Sequence, residues 1–250
     1  MGNSIPPGKV LVVGATSSIA RALAGRLAAR GARLHLAGRN GDELSRIASD
    51  LGIRYEAAVT WGTFDASSED LAEVVDVAAT SMGGIDMAVV ALGDLGDQQL
   101  AERDGSHAMH IARMNLIAPM LLCTELANRF AEAGRGHIVA LVSVAGDRGR
   151  RSNYVYGSAK GAFDLYLQGL RSRLHPHGVQ VTSVKLGFVD TKMTYGRAGM
   201  FLLASPESAA AGILRASDRH ADVVYVPWFW WPVMLAVRSV PERLFKRLAI

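Results

Sequence analysis

Short runs rich in Val, Ile and Leu alternate with longer Ala- and Leu-rich stretches of helical period between Lys9 and Val226. Consecutive strands separated by a helix cannot close as tight hairpins, so this alternation predicts a parallel sheet with crossover helices on both faces. Strands are expected at 9–13, 33–37, 54–59, 85–91, 137–142, 179–185 and 223–226, the third being the weakest. Helices are expected near 18–30, 42–50, 69–81, 106–130, 153–174 and 206–216. The first half is thus a βαβαβ unit. With 250 residues, half of them hydrophobic, the chain can bury one large core, and residues 1–226 read as a single α/β domain. Residues 227–250 differ in character and form a Trp-rich, apolar and basic extension.

Composition removes several function classes. The one cysteine, Cys123, lies in an apolar run and cannot form an internal disulfide, which suits a reducing compartment. Residues 1–7 lack the basic flank and apolar core of a signal peptide, so a cytoplasmic location is expected. The 27 basic residues are scattered among 23 acidic ones, for a net charge of +4, and make no long stripe for a nucleic-acid backbone. His107/His110 and His175/His177 have no carboxylate or thiol at ligand spacing; they read as surface or loop histidines, and no metal site is expected.

The first strand breaks at Gly14, and Gly14-Ala-Thr16-Ser17-Ser18-Ile19-Ala20 leads into a helix with Ile19, Leu23 and Leu27 on one face. The spacing is that of a dinucleotide-binding turn, although Ser18 and Ala20 replace its second and third glycines. Small residues let the backbone approach a pyrophosphate, and the next helix offers it free N–H groups; an ordinary tight turn is the alternative. The second strand runs into Arg39, where an NAD-preferring site places a carboxylate for the ribose 2′-hydroxyl. A guanidinium suits a 2′-phosphate instead, so NADP(H) is expected ahead of NAD(H), unless Arg39 is only a solvated loop residue. Asp65, beyond the third strand, either accepts from an adenine amino group or caps a helix.

Ser143 ends the fifth strand, and Tyr156 and Lys160 stand four apart at the start of the next helix, on one face, where they can share a proton network. Tyr154 has serine rather than lysine four residues later, which leaves it packing or substrate contact. The Gly14 turn, Ser143 thirteen residues before Tyr156, Lys160, and Asn115 within Met114-Asn-Leu-Ile-Ala together resemble the short-chain dehydrogenase/reductase family over residues 9 to about 226. The resemblance implies a Rossmann-type, doubly wound, seven-stranded sheet of order 3-2-1-4-5-6-7, NADP-dependent carbonyl reduction, and a homodimer or homotetramer built on the helices near 106–130 and 153–174.

Under that resemblance Tyr156 is the acid, Ser143 holds the carbonyl, Lys160 binds the nicotinamide ribose, and Asn115 holds a water that relays protons to the lysine. The Lys160 ammonium together with the cationic oxidised nicotinamide is expected to bring the Tyr156 phenol down toward working pH. The cofactor set is Gly14, Thr16, Ser17, Ser18 and Ile19 in the turn, Arg39 and Asp65 at the adenosine end, and Tyr156 and Lys160 at the ribose. Ala91, Leu92 and Gly93 at the fourth strand end complete it, with Gly187, Val189 and Thr191 at the carboxamide. Three departures mark a divergent member: the missing turn glycines, Ala91-Leu92-Gly93 where Asn-Ala-Gly is usual, and Leu186-Gly187 where Pro-Gly is usual.

Asp147-Arg148-Gly-Arg150-Arg151 should border the substrate cleft, either as a solvated charge run or with Arg150 and Arg151 holding a substrate phosphate. Three of the four tryptophans, Trp228, Trp230 and Trp231, lie in the extension. Its apolar run of about 11 residues is too short to span a bilayer, which takes about 20. Flanked by Arg238, Arg243, Lys246 and Arg247, it suits a segment lying on an anionic membrane, or else a substrate lid or subunit contact. The segments 91–97, 150–160 and 244–248 are similar to the decaprenylphosphoryl-2-keto-pentose reductases, which implies a lipid-linked keto-sugar substrate and a flavin-dependent oxidase as partner. The alternatives are a general ketoreductase for acyl or small ketones and a catalytically idle NADP-binding scaffold; the complete catalytic set argues against the scaffold.

Overall fold

The sheet grows from strands that, in its middle, are buried on both faces, with helices returning the chain to the same end of the sheet for the next parallel strand. In chain order the elements are β1 (Lys9–Val13), α1 (Ser18–Ala28), β2 (Arg33–Gly38), α2 (Gly41–Tyr55), β3 (Val59–Thr63), α3 (Ala72–Met82) and β4 (Met87–Val90). Two short helices, α4 (Gln98–Ala101) and α5 (Gly105–Ala112), then a π-helical turn at Arg113–Ile117, lead into α6 (Ala118–Ala133). The second half comprises β5 (Gly136–Ser143), α7 (Tyr154–Leu174), β6 (Val179–Leu186), α8 (Pro206–Asp218), β7 (Val223–Val226), α9 (Trp230–Ser239) and α10 (Glu242–Phe245). The computed structural model describes residues 8–67, 71–191 and 202–248. The reading of residues 1–7 as free of a targeting signal lies outside the described residues.

All seven strands pair in parallel in the order β3-β2-β1-β4-β5-β6-β7, as expected. Successive strand side chains point to opposite faces, so β1 divides its residues between two cores. Val10 and Val12 pack with Leu23 and Leu27 of α1, Leu44 of α2 and Ile213 of α8; Leu11 and Val13 pack with Val75 of α3, Leu122 of α6 and Phe163 of α7. Strand order reverses between β1 and β4, which opens a crevice at the carboxyl ends of these strands.

The third strand corrects the sequence reading. Residues 54 and 55 belong to α2, which runs on to Tyr55 until Glu56 takes a left-handed conformation (φ 52°), and β3 begins only at Val59. As an edge strand, β3 exposes Thr60 and Trp61 and so lacks the continuous apolar run of its neighbours. The helix expected over 106–130 is real but interrupted: the π turn inserts a wider loop of backbone at Asn115, a form that recurs at functional positions.

Candidate active site

At the cofactor end one glycine holds three strands together. Gly14 sits at φ 76°, its N–H donates to Ala37 O at 2.9 Å, and an added Cβ would stand 2.6 Å from Ala91 O. Only glycine fits there, because both the backbone conformation and the approach of the β4 end exclude a side chain. The Ser17 hydroxyl caps α1 by accepting the Ala20 N–H at 3.3 Å, so the first-turn N–H groups of Ser18 and Ile19 remain at the crevice, free for an anion. Thr16 packs beside Gly38 at the end of β2, and Arg39 follows, exposed. Asp65 accepts the Ser67 N–H at 2.9 Å; that bond, then Arg39, holds its carboxyl below the usual range. Helix α3 starts after Leu71, so Asp65 does not cap it.

The catalytic candidates meet at the ends of β4 and β5. Ser143 closes β5, its Oγ accepts the Ala145 N–H at 3.1 Å, and the Tyr156 hydroxyl is hydrogen-bonded to Ser143. Lys160, one turn on in α7, is buried and its Nζ donates to Leu92 O (2.9 Å) and Leu141 O (3.1 Å). Asn115 is fully buried in the π turn; its Nδ2 donates to Ile111 O (2.8 Å) and Asp94 O (2.6 Å), and its Oδ1 accepts the Asp94 N–H (3.2 Å). Gly93 lies between the two: a Cβ there would stand 3.0 Å from Asn115 Oδ1 and 3.1 Å from Lys160 Nζ. The fourth strand end therefore needs its glycine even without the usual Asn-Ala before it.

In the protein without cofactor, Lys160 does not bring the phenol down. Burial pushes the Tyr156 phenol above its ordinary value, and the Ser143 hydrogen bond offsets this only in part. Burial also brings Lys160 down to about 7. Its ammonium is thus only partly populated near neutral pH and faces two carbonyls rather than the phenol. The result is a phenol that stays protonated, poised to give a proton rather than to take one.

Long-range contacts that the sequence did not reveal hold this geometry. Asp147, four residues after Ser143, receives Lys185 Nζ at 2.6 Å and the Tyr225 hydroxyl at 2.8 Å; Lys185 also reaches Asp164 at 3.1 Å. Burial works against the Lys185 charge, but the two carboxylates more than offset it and its pKa is raised. Asp164 lies one turn beyond Lys160, so the cluster ties the serine turn to the tyrosine helix, β6 and β7. Helix and turn also touch backbone to backbone, since a Cβ on Gly146 would lie 2.7 Å from Gly161 N. The glycines and the Lys160/Asp164 spacing were the only local signals of this frame.

The carboxamide end and the extension form one unit. Val189, two residues before Thr191, bridges to Ala204. The Gly187 N–H donates to Val226 O at 2.9 Å, and the Trp230 indole lies where a side chain at 187 would go. Trp230 also meets Phe188 edge-on at 5.0 Å and, with Met234, packs on Val144 next to Ser143. The inner face of α9 is therefore a wall beside Ser143. Arg148, which drew no assignment of its own, clasps this wall: it donates to Glu242 Oε2 (2.7 Å) and Arg238 O (3.4 Å) and lies over the Phe245 ring at 4.3 Å. Arg150 is partly buried against Met234 Sδ at 3.2 Å, and burial lowers its pKa; Arg151 and Tyr154 are exposed. On α5, His110 meets the Asp94 carboxylate at 3.0 Å, a pairing the spacing concealed; among the described residues no set of side chains assembles that could hold a metal ion.

The comparisons with known proteins agree with this geometry. The short chain dehydrogenase family model matches residues 8–198. An uncharacterized oxidoreductase of Mycobacterium tuberculosis is 41% identical over 242 residues, covering 96% of each chain. Among solved structures, a short-chain dehydrogenase from Sphingobium yanoikuyae in complex with NADPH superimposes with a TM-score of 0.81 at 24% identity, over 94% of this chain and 97% of that one. L-sorbose reductase from Gluconobacter frateurii, complexed with NADPH and L-sorbose, does so with a TM-score of 0.78 at 20% identity, over 89% and 96%. The chain belongs to the short-chain dehydrogenase/reductase family.

Proposed function

We propose that this protein is an NADPH-dependent ketone reductase, with Tyr156 as proton donor, Ser143 as carbonyl anchor, and Lys160 and Asn115 completing the proton path. The observation that carries the proposal is the meeting of a protonated Tyr156, hydrogen-bonded to Ser143, with a buried Lys160 and Asn115 around Gly93. The residues present fit a dinucleotide: Gly14 clears the backbone, Ser18 and Ile19 offer N–H groups to a pyrophosphate, and exposed Arg39 suits a 2′-phosphate. When bound, the cofactor supplies the hydride. Ser143 Oγ donates to the substrate carbonyl oxygen and stabilises the negative charge that develops there. Tyr156 transfers its phenolic proton to that oxygen, forming the alcohol; Lys160 Nζ would return a proton to the phenolate and recover its own from solvent by way of a water held at Asn115.

The finer reading is a keto-sugar carried on a polyprenyl phosphate, produced by a flavin-dependent oxidase. Three features support it: the apolar wall of Val144, Phe188, Trp230 and Met234, the half-buried Arg150 cation beside that wall, and a fold shared with a reductase solved with a keto-sugar. The test follows NADPH consumption across neutral ketones, free keto-sugars and phosphate-bearing keto-sugars. The proposal expects turnover with at least one ketone, and Arg150→Ala raising KM only for phosphate-bearing substrates. No turnover with any ketone overturns the reductase assignment; equal effects of Arg150→Ala on all substrates overturn the phosphate role.

A further inference from the structure

The extension has two faces, and the active site accounts for only one of them. Its inner face buries Trp230, Met234 and Phe245. Its outer face carries Trp228 and Trp231, 77% and 58% exposed, with Leu235, Leu244 and Leu248 also in solvent. On α9, Trp231, Leu235 and Arg238 fall four and three residues apart and so line one stripe of the helix. Isolated exposed leucines need no explanation, but two exposed indoles and three exposed leucines within residues 228–248, two of them on one helix stripe, are a concentration that calls for a partner.

Charge decides which partner. Arg238, Arg243, Lys246 and Arg247 surround the patch, all exposed, and the one carboxylate between them, Glu242, is held by Arg148. A symmetric contact would bring the same four cations of a second copy to this face, and charged residues are depleted from interface cores. An anionic bilayer supplies both an apolar interior for the indoles and leucines and a negative surface for the cations. Among the described residues no helix is long and apolar enough to cross a membrane, and α9, at 10 residues, fits a segment lying in the interface plane.

We infer that the outer face of α9 and α10 docks this protein on an anionic lipid bilayer. Docking there turns the strand end that bears Ser143 toward the lipid surface, because the same helix packs on Val144 and Arg148 ties both helices to the serine turn. What the membrane then presents, a ketone on a lipid carrier, rests on the reductase reading; the docking itself does not.

The test is flotation of the full chain with phosphatidylcholine vesicles that contain phosphatidylglycerol, beside vesicles of phosphatidylcholine alone. Two variants accompany it, Trp228→Ser/Trp231→Ser/Leu235→Ser and Arg243→Glu/Lys246→Glu/Arg247→Glu, each checked for retained NADPH binding. The inference expects wild type to float with anionic vesicles, and each variant to bind at least about tenfold more weakly. Failure of wild type to float, or undiminished binding by both variants, overturns it. Light scattering gives a third overturning result: if the Trp/Leu variant converts an oligomer into a smaller species, a second copy covers this face. Flotation without turnover on any ketone would sink the reductase assignment and leave docking standing.

Discussion

Replacing Lys160 should make the free protein more resistant to unfolding at neutral pH and less dependent on alkali. The folded protein holds this lysine at about 7, against 10.5 in the unfolded chain. Above about 7 the folded state has released the proton while the unfolded state still binds it up to its own pKa, so stability rises with pH across that window; below it both states carry the proton and the full burial penalty applies. At about 1.4 kcal/mol per tenfold change in proton affinity, the whole span corresponds to about 5 kcal/mol. Between about pH 7 and about pH 9.5 roughly 3 kcal/mol of that should appear, because Lys160 is already half deprotonated at the lower limit. Lys160→Met keeps the length and apolar stem but has no proton to release, and it leaves the Leu92 and Leu141 carbonyls without this donor, which takes back about 1–3 kcal/mol. The pH dependence is therefore a cleaner readout than the absolute difference. Urea unfolding of wild type and Lys160→Met at matched protein concentration would show it. Wild type should gain about 3 kcal/mol relative to the variant on going from the lower to the higher pH. Parallel pH profiles would refute the argument that Lys160 is buried at the expense of its charge.

Other perturbations address separate parts of the account. Asp147→Asn removes one acceptor of the buried cluster and should lower thermal stability by about 3 kcal/mol or more, with part of the loss recovered in Asp147→Asn/Lys185→Met; melting curves that rank the double variant below the single one would contradict this. Gly187→Ala should destabilise the fold by driving a methyl into the Trp230 indole, and Trp230→Ala should relieve the defect; additive losses in urea titrations would deny the contact. Arg39→Glu should raise the dissociation constant for NADPH by about tenfold or more while affecting NADH less, as read by cofactor fluorescence, and equal weakening of both would remove Arg39 from the 2′-phosphate site.

Much of the sheet was legible because buried parallel strands and their covering helices write different periods into the chain. β3 was displaced because an edge strand with Thr60 and Trp61 in solvent has no such run to read, while the apolar period of α2 continues to Leu51 and hides where the helix ends. The candidate residues were legible through a joint pattern, since four residues bring Tyr156 and Lys160 to one helix face, a strand end presents Ser143, and Asn115 and the Gly14 turn accompany them. Their supports were not. The Tyr225 hydroxyl meets Asp147 across 78 residues of chain, and the indole over Gly187 arrives from the extension; neither contact leaves a local pattern. The direction of the Tyr156 pKa in the protein without cofactor was not legible for the same reason: a sequence shows a charged neighbour, whereas the depth of burial that neutralises both partners belongs to the folded structure.

The central claim is that Tyr156 gives the proton to the carbonyl oxygen. Once a reducible ketone has been found, wild type and Tyr156→Phe should be compared at saturating NADPH, with cofactor binding measured alongside turnover. The phenylalanine keeps the ring in its buried place and deletes only the hydroxyl that meets Ser143. The account predicts NADPH binding within about threefold of wild type and turnover reduced by about a hundredfold or more, the scale of a lost general acid. Turnover unchanged in Tyr156→Phe would contradict it.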